Sequence, residues 1–252
     1  MRPELREQFA TAGFCFPLPV LSPDEVEDLR ARVDHIRTHL RAYGPRLYEV
    51  EQGYEAAPEQ VVCHFLGGWL VDPKLRALVF DRRITEPCAQ ALGVRRLRFW
   101  HDQVFYKPPR HPGVVPWHQD YAYWQRTVPE CHITLNLMLD DADLESGCLH
   151  FVPGSHRQGL LPKARFDGPM EQVTAAVGAV PALLKAGEAS LHHSSTLHGS
   201  FANRSDRPRR AIVLNYMAAD TRCDTDEPLL RGVPRIARGA VVEGEHFPLV
   251  YP

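Results

Sequence analysis

Six cysteines, at positions 15, 63, 88, 131, 148 and 223, contain no Cys-x-x-Cys pair and follow no regular spacing. That lack excludes a zinc knuckle or a disulfide-stapled scaffold and leaves buried free thiols as the expectation. No apolar run approaches the length that crosses a bilayer, and the opening Met1-Arg2-Pro3-Glu4 is charged where a secretory leader would be apolar. A cytoplasmic protein without a membrane partner is expected. Charge of one sign is also scarce, the formal net charge being −2. The dense basic spots, Arg95-Arg96-x-Arg98 and Arg207-x-Arg209-Arg210, are too short to track a phosphate backbone, so nucleic acid is not an expected partner. Internal repeats and low-complexity tracts are missing too, and nothing specifies an oligomeric state. With 252 residues the chain can build one sizeable core, and a single domain over 1–252 accounts for it.

What is present falls into two unequal parts. The first, about 1–95, reads as helical. Ser22-Pro23-Asp24-Glu25 offers a cap serine, a proline at the first helical position and a glutamate three residues after the cap, followed by Val26, Leu29, Val33, Ile36 and Leu40 at helical spacing. Asp72-Pro73 opens a second helix carrying Leu75, Leu78 and Val79, and Ile84, Cys88, Ala91 and Leu92 mark a third that stops at Gly93. Residues 44–68 between them read as an irregular insert, either a binding loop or a plain surface loop.

From Leu97 the period changes to two. Leu97 to Lys107 is a long aromatic strand stopped by Pro108-Pro109, with Gln103, Phe105 and Lys107 on one face. In Cys131 to Leu139, Ile133, Leu135, Leu137 and Leu139 make an apolar face, while His132, Thr134 and Asn136 make a polar one. Further strands, with turns between them, are expected in 146–156, 182–184, 188–191 and 210–217. Many short strands behind leading helices, without βα alternation, predict a mainly β fold with packed helices: an antiparallel jelly-roll barrel over about 96–220 and a C-terminal tail over 221–252. Segment 163–180 and the tail read as loops over the barrel mouth.

The chemistry-bearing stretch is Trp117-His118-Gln119-Asp120. In an extended strand His118 and Asp120 point to one side and can grip one ion. The best third ligand is His198, with His192 and His193 as rivals close by. Two histidines and one carboxylate on one face of an octahedral ion leave open positions, the arrangement of non-haem Fe(II) oxygenases. Tyr121, Tyr123 and Trp124 follow directly and, with His132 on the polar strand face, are candidates for meeting a substrate. A cupin-like Zn or Mn enzyme without redox chemistry, or a small-molecule sensor, would use a similar ligand set.

Taken in order, Lys107-Pro108-Pro109, Trp117-His118-Gln119-Asp120, Gly147-Cys148-Leu149 leading into Val152-Pro153-Gly154-Ser155-His156, Gly187-Glu188, His198-Gly199-Ser200, Asn203 and Pro208-Arg209 resemble the phytanoyl-CoA dioxygenase family of Fe(II)/2-oxoglutarate oxygenases over roughly 5–220. The resemblance implies a double-stranded β-helix and iron held by His118, Asp120 and His198, since His198 alone carries the Gly-Ser that follows the distal ligand. It also implies that Arg209, eleven residues beyond His198, takes the far carboxylate of 2-oxoglutarate, a role that suits a guanidinium fork. Strand alternation turns the neighbouring Arg210 to the opposite face. Thr134 and Asn136 are implied to help hold the co-substrate, and Gln103 and Lys107 are further candidates. The implied reaction uses Fe(II), 2-oxoglutarate and O₂ to hydroxylate a C–H bond of a small or medium metabolite, releasing succinate and CO₂. Asp120 stands where related halogenases have a small residue, which favours hydroxylation, while desaturation, ring closure and epimerisation begin from the same hydrogen removal.

Overall fold

A computed structural model describes residues 1–163, 168 and 170–252. The helices begin and end where local chemistry provides for them. After α1 (Pro3–Ala12) and strand β1 (Phe14–Pro19), Ser22 opens α2 (Pro23–Thr38). Ser22 Oγ accepts from Glu25 N at 3.3 Å, and Glu25 Oε2 accepts from Ser22 N at 2.8 Å, which satisfies two donors a helix start leaves free. The short α3 (Leu40–Tyr43) leads to β2 (Glu49–Val50) and β3 (Cys63–Leu66), then α4 (Gly68–Val71), α5 (Pro73–Val79) and α6 (Arg82–Leu92). Asp72 caps α5 through the Lys74 and Leu75 amides, and Gly93 ends α6 at φ 73°.

Three strands, β1, β2 and β3, therefore lie in the part expected to be helical or irregular. Phe14–Pro19 carries two prolines, which mask strand character in a sequence, but β1 is an edge strand, where a missing ladder donor is tolerated. Cys63–Leu66 has four residues and owes its extension to pairing with the next strand, Cys63 opposite Tyr106.

That next strand is β4 (Leu97–Lys107). It is followed by β5 (Val115–His118), α7 (Tyr121–Trp124), β6 (Thr127–Val128), β7 (His132–Met138), β8 (Leu149–Phe151), α8 (Met170–Val177), β9 (Val180–Pro181), β10 (Glu188–His193), β11 (His198–Ser200), β12 (Arg209–Ala218), β13 (Arg222–Cys223) and β14 (Leu249–Tyr251). An eight-stranded antiparallel sheet runs β1-β10-β7-β12-β4-β3-β2 with β14 also on β4, and a four-stranded sheet runs β5-β11-β8-β9. Two antiparallel sheets with helices packed on them give the mainly β jelly-roll architecture expected, although the sheets do not join into a closed barrel.

The expected alternation along β7 sorts the molecule. Ile133, Leu135 and Leu137 join Ile212 and Leu214 of β12 in a core closed by Val33 and Ile36 of α2 and Ile84 and Cys88 of α6. Thr134 and Asn136 face the other way, toward the small sheet. The six cysteines are free thiols, five of them buried.

Segment 163–180, expected to be loop, lies partly outside the described residues (164–167 and 169); within it α8 packs Met170 and Val173 against Trp117, Val152 and Leu197. The tail is not a loose cover either. β13 pairs with β6, β14 pairs with β4, and Leu229, Val233, Val242 and Phe247 are buried in the main core. Among the described residues no helix is long and apolar enough to cross a membrane.

Candidate metal centre

His118 ends β5, His198 begins β11, and the two stand opposite each other in the small sheet. Their rings lie 4.1 Å apart. Asp120 arrives differently from expectation: β5 stops at His118, and Asp120 has already turned to φ −56°, ψ −41° at the start of α7. A tight turn, not strand pleating, brings its carboxylate beside the imidazole. Asp120 Oδ1 is 3.4 Å from His118 Nε2 and 3.7 Å from His198 Nε2. One ligand atom from each residue falls within 4.8 Å of the others, a spacing that one ion can fill.

The far sides of the three groups are fixed. His118 Nδ1 donates to the Pro116 carbonyl at 2.8 Å and His198 Nδ1 to the Thr196 carbonyl at 2.9 Å. A carbonyl only accepts, so each Nδ1 carries the proton and each Nε2 lone pair is free for a metal. Asp120 Oδ2 faces Thr134 Oγ1 at 2.7 Å and His192 Nε2 at 3.0 Å. Gln119 braces the turn, its amide donating to the Gly159 and Ser195 carbonyls at 2.9 and 2.7 Å and accepting from Leu161 N at 2.7 Å.

Ionisation follows from this enclosure. Burial alone would raise the Asp120 carboxyl, but His198, His118 and His192 outweigh it and hold it well below the usual carboxylate range. Burial, with His118 and His192 alongside, drives His198 well below its ordinary value, so it is a neutral imidazole. Loss of solvation would lower His118 as well, yet the hydrogen bond and charge of Asp120 raise it. A carboxylate and two imidazoles that share one focus suit a divalent transition ion with open positions.

From this focus a narrow cavity runs between the sheets past Gln103, Phe105, Asn136 and Ser200 to Arg209. Arg209 is buried, its guanidinium donates to the Gly147 carbonyl, and its Nε has no partner among the described residues. Gly147 has φ 71°, and a Cβ there would collide with the Phe201 and Ala202 carbonyls, so only glycine presents that oxygen. Burial lowers Arg209 to about 10. Opposite it in the ladder, Lys107 is fully buried, with Nζ 2.9 Å from Ser200 Oγ and 2.6 Å from the Phe201 carbonyl. Burial, then the Arg209 charge, lowers it well below its ordinary value. Neither group has a carboxylate partner among the described residues. A buried guanidinium without a counter-ion calls for an anionic guest, whose charge would in turn favour the protonated form of Lys107.

The sequence model of the family described as phytanoyl-CoA dioxygenase (PhyH) matches residues 9–211. The chain belongs to this family. One relative, the phytanoyl-CoA dioxygenase domain-containing protein 1 of Bos taurus, is 27% identical over 266 residues, covering 87% of this chain and 91% of its own. Methylphosphonate hydroxylase of Gimesia maris is 27% identical over 201 residues, covering 79% and 74%. Among solved structures, the non-haem α-ketoglutarate-dependent carbocyclase SnoK from nogalamycin biosynthesis superposes with a TM-score of 0.78 at 27% identity, over 99% of this chain and 96% of that one.

Other expected site residues distribute unevenly. Gln103 and Asn136 line the cavity; Lys107 stands behind Ser200 and reaches it only through that hydroxyl. Thr134 also lines it, and its hydroxyl is engaged with Asp120 Oδ2 or, at 2.9 Å, with Asn215 Oδ1, which ties it to the metal centre. Beyond His118 and Asp120 the cavity opens into a cleft of about 840 Å³ lined by His64, Trp124, Arg126 and Tyr123, the last 66% exposed. A second cavity of about 920 Å³ shares Tyr48, Glu49, Glu51 and Arg231 with this cleft.

Tyr121 and His132, expected to meet substrate, are packing residues instead. Tyr121 is buried and its hydroxyl donates to the Thr127 carbonyl at 2.7 Å. His132 is fully buried among Trp100, Tyr121 and Trp124, and burial lowers it to about 3. Strand position alone put His132 beside Thr134, and α7 then closed over it. Two neighbours of the centre have places the sequence did not give them: Asn215 was not singled out, and His192 was weighed only as a rival metal ligand. Asn215 sits on the Arg209 face of β12, and His192 sits opposite Thr134 on β10. Counting alternate residues from Arg209 would have reached Asn215; no spacing signal marks His192 as a partner of Asp120.

Proposed function

We propose that this protein is an Fe(II)- and 2-oxoglutarate-dependent oxygenase that hydroxylates a C–H bond of a medium to large ring-containing metabolite in the cytoplasm. The observation that carries the reading is the convergence of His118 Nε2, Asp120 Oδ1 and His198 Nε2 at the mouth of a cavity that ends on Arg209, which meets no carboxylate among the described residues. His118, Asp120 and His198 would hold the ion. Arg209, with the charge of Lys107 behind Ser200, would bind the far carboxylate of 2-oxoglutarate as a bidentate fork binds a carboxylate.

Iron, when bound with 2-oxoglutarate and O₂, supplies the oxidising power: one oxygen atom goes to the substrate, the other to succinate, and CO₂ leaves. The protein's own groups bind and orient. Gln103 and Asn136 line the co-substrate path, and Tyr123 and Trp124 wall the place where a substrate C–H would approach His118 and Asp120. The cleft volume of about 840 Å³ is in the range that houses drug-sized ligands, larger than a simple metabolite needs. Retention of Asp120 leaves no vacancy for a halide and supports hydroxylation. Ring closure is the second reading, supported by the likeness to the carbocyclase SnoK over nearly the whole chain.

The test is succinate formation from 2-oxoglutarate with Fe(II) and O₂ across pools of ring-containing metabolites, with product mass read in parallel. Gain of one oxygen atom is the expected outcome. Loss of two hydrogens would favour ring closure, and turnover independent of O₂ would point to the cupin-like, non-redox alternative.

A further inference from the structure

The Asp120 carboxylate has two unlike oxygens. Oδ1 faces both ligand imidazoles, while Oδ2 faces Thr134 Oγ1 at 2.7 Å and His192 Nε2 at 3.0 Å. Thr134 has one hydroxyl proton and two acceptors for it, since Asn215 Oδ1 lies at 2.9 Å. Among the described residues His192 Nε2–H has no competing acceptor, which makes it the dedicated donor to Oδ2.

His192 is also an odd choice if packing were its only task. It is buried against Phe151, with ring centroids 5.1 Å apart, and its Nδ1 has no hydrogen-bond partner. A phenylalanine would fill the space without leaving a buried polar atom unpaired. The unpaired Nδ1 is what remains when the single imidazole proton is committed to Asp120. Strand geometry makes the commitment firm: His192 and Thr134 are direct partners across β10 and β7, so both reach Asp120 from one rigid face.

We infer that His192 is a positioning residue that keeps the Asp120 carboxylate one-armed, turning Oδ2 away so that Oδ1 alone is presented to the ion. The inference rests on the metal-centre reading above. A carboxylate that swung to offer both oxygens would take one of the three positions that two histidines and one oxygen leave open, and a chelating keto acid plus O₂ needs all three. His192 therefore governs 2-oxoglutarate binding more than metal binding.

Three variants separate this role from simple packing: His192→Phe keeps ring volume without the donor, His192→Asn keeps an amide too short to reach, and His192→Gln places an amide N–H where Nε2 stands. Anaerobic equilibrium dialysis reads Fe(II) affinity, and calorimetry of the Fe(II)-loaded protein reads 2-oxoglutarate affinity, with melting temperature as the folding control. His192→Phe is expected to keep its iron and to lose about tenfold or more in 2-oxoglutarate affinity, with His192→Gln staying within roughly threefold of the parent. If the phenylalanine variant does not fold, His192→Asn carries the same expectation. Parent-like 2-oxoglutarate affinity in the phenylalanine or asparagine variant, or equal losses in the glutamine and phenylalanine variants, would overturn the inference. Failure of the parent protein to bind Fe(II) would overturn the underlying metal reading instead.

Discussion

Arg209 and Arg210 are adjacent on β12 and live in opposite worlds. Arg210 points to the helices, where its guanidinium meets Asp34 Oδ2 at 2.8 Å and Asp140 Oδ2 at 2.9 Å. Arg209 points between the sheets and meets no carboxylate among the described residues. The same contrast runs along β7, with Leu135 in the closed apolar core and Thr134 and Asn136 on the cavity side. On one face of the large sheet Arg210 is paired and the apolar side chains close on the helices; the other carries polar groups left for a guest. Stability and chemistry are thus separated by a single peptide unit, because successive side chains leave a strand on opposite sides.

Substitutions on the two faces should divide cleanly if this contrast is right. Asp120→Ala carries the largest expected effect, loss of bound Fe(II) and of all 2-oxoglutarate turnover with the fold intact, read as metal content and succinate release. Next, Leu135→Ala on the closed face should lower unfolding free energy by about 2–5 kcal/mol in chemical denaturation, leaving 2-oxoglutarate affinity in the folded protein unchanged. Equal damage to affinity and stability would erase the division between faces.

The arginine pair sharpens the comparison further. Arg209→Leu should weaken 2-oxoglutarate by about 100-fold without lowering the melting temperature, since it removes a buried cation that has no carboxylate partner among the described residues. Arg210→Ala should do the reverse, costing about 1–3 kcal/mol of stability through the lost charged hydrogen bonds and leaving co-substrate affinity alone. Calorimetry and thermal melts on the two variants side by side would expose any exchange of roles.

Acid should produce the smallest effect near neutrality. Burial holds His101 down to about 4 and His132 down to about 3, so both are neutral when folded and take up protons on unfolding below their ordinary value near 6.5. The unfolded state then binds more protons, and stability, complete above about pH 6.5, should fall by roughly 1 kcal/mol per histidine for each pH unit below it. Asp102 works against this. Burial, partly offset by the Trp69 and Gly67 amides, raises its carboxyl to about 6, so below that pH it favours the folded state. Denaturant midpoints between pH 7 and pH 4 should therefore show a loss that slackens below about pH 6; a uniform slope would remove Asp102 from the account.

Legibility from sequence followed the range of the forces involved. The Ser22 capping box, the Gly93 helix end and the full extent of β4 from Leu97 to Lys107 were all readable, since caps, periodicity and proline stops act over a few residues. β1 was hidden by Pro17 and Pro19, β3 by its brevity, and the tail by having no pattern of its own; each is held by partners distant in the chain. The candidate ligands were readable as residue types in a familiar order. The turn that carries Asp120 back beside His118, the exclusion of His132 from the cavity and the engagement of Thr134 with Asp120 were not.

Taken alone, the sequence determined which face of each long strand would be apolar and which polar, because alternation is a property of the backbone and needs no partner. Tertiary structure alone decided which polar residues share a focus. His118 and His198 meet because β5 and β11 pair across a gap of eighty residues, and His192 reaches Asp120 because β10 lies against β7. Hydrogen bonds and ligand fields act over a few ångströms of space, and only the paired sheets convert separation along the chain into that distance.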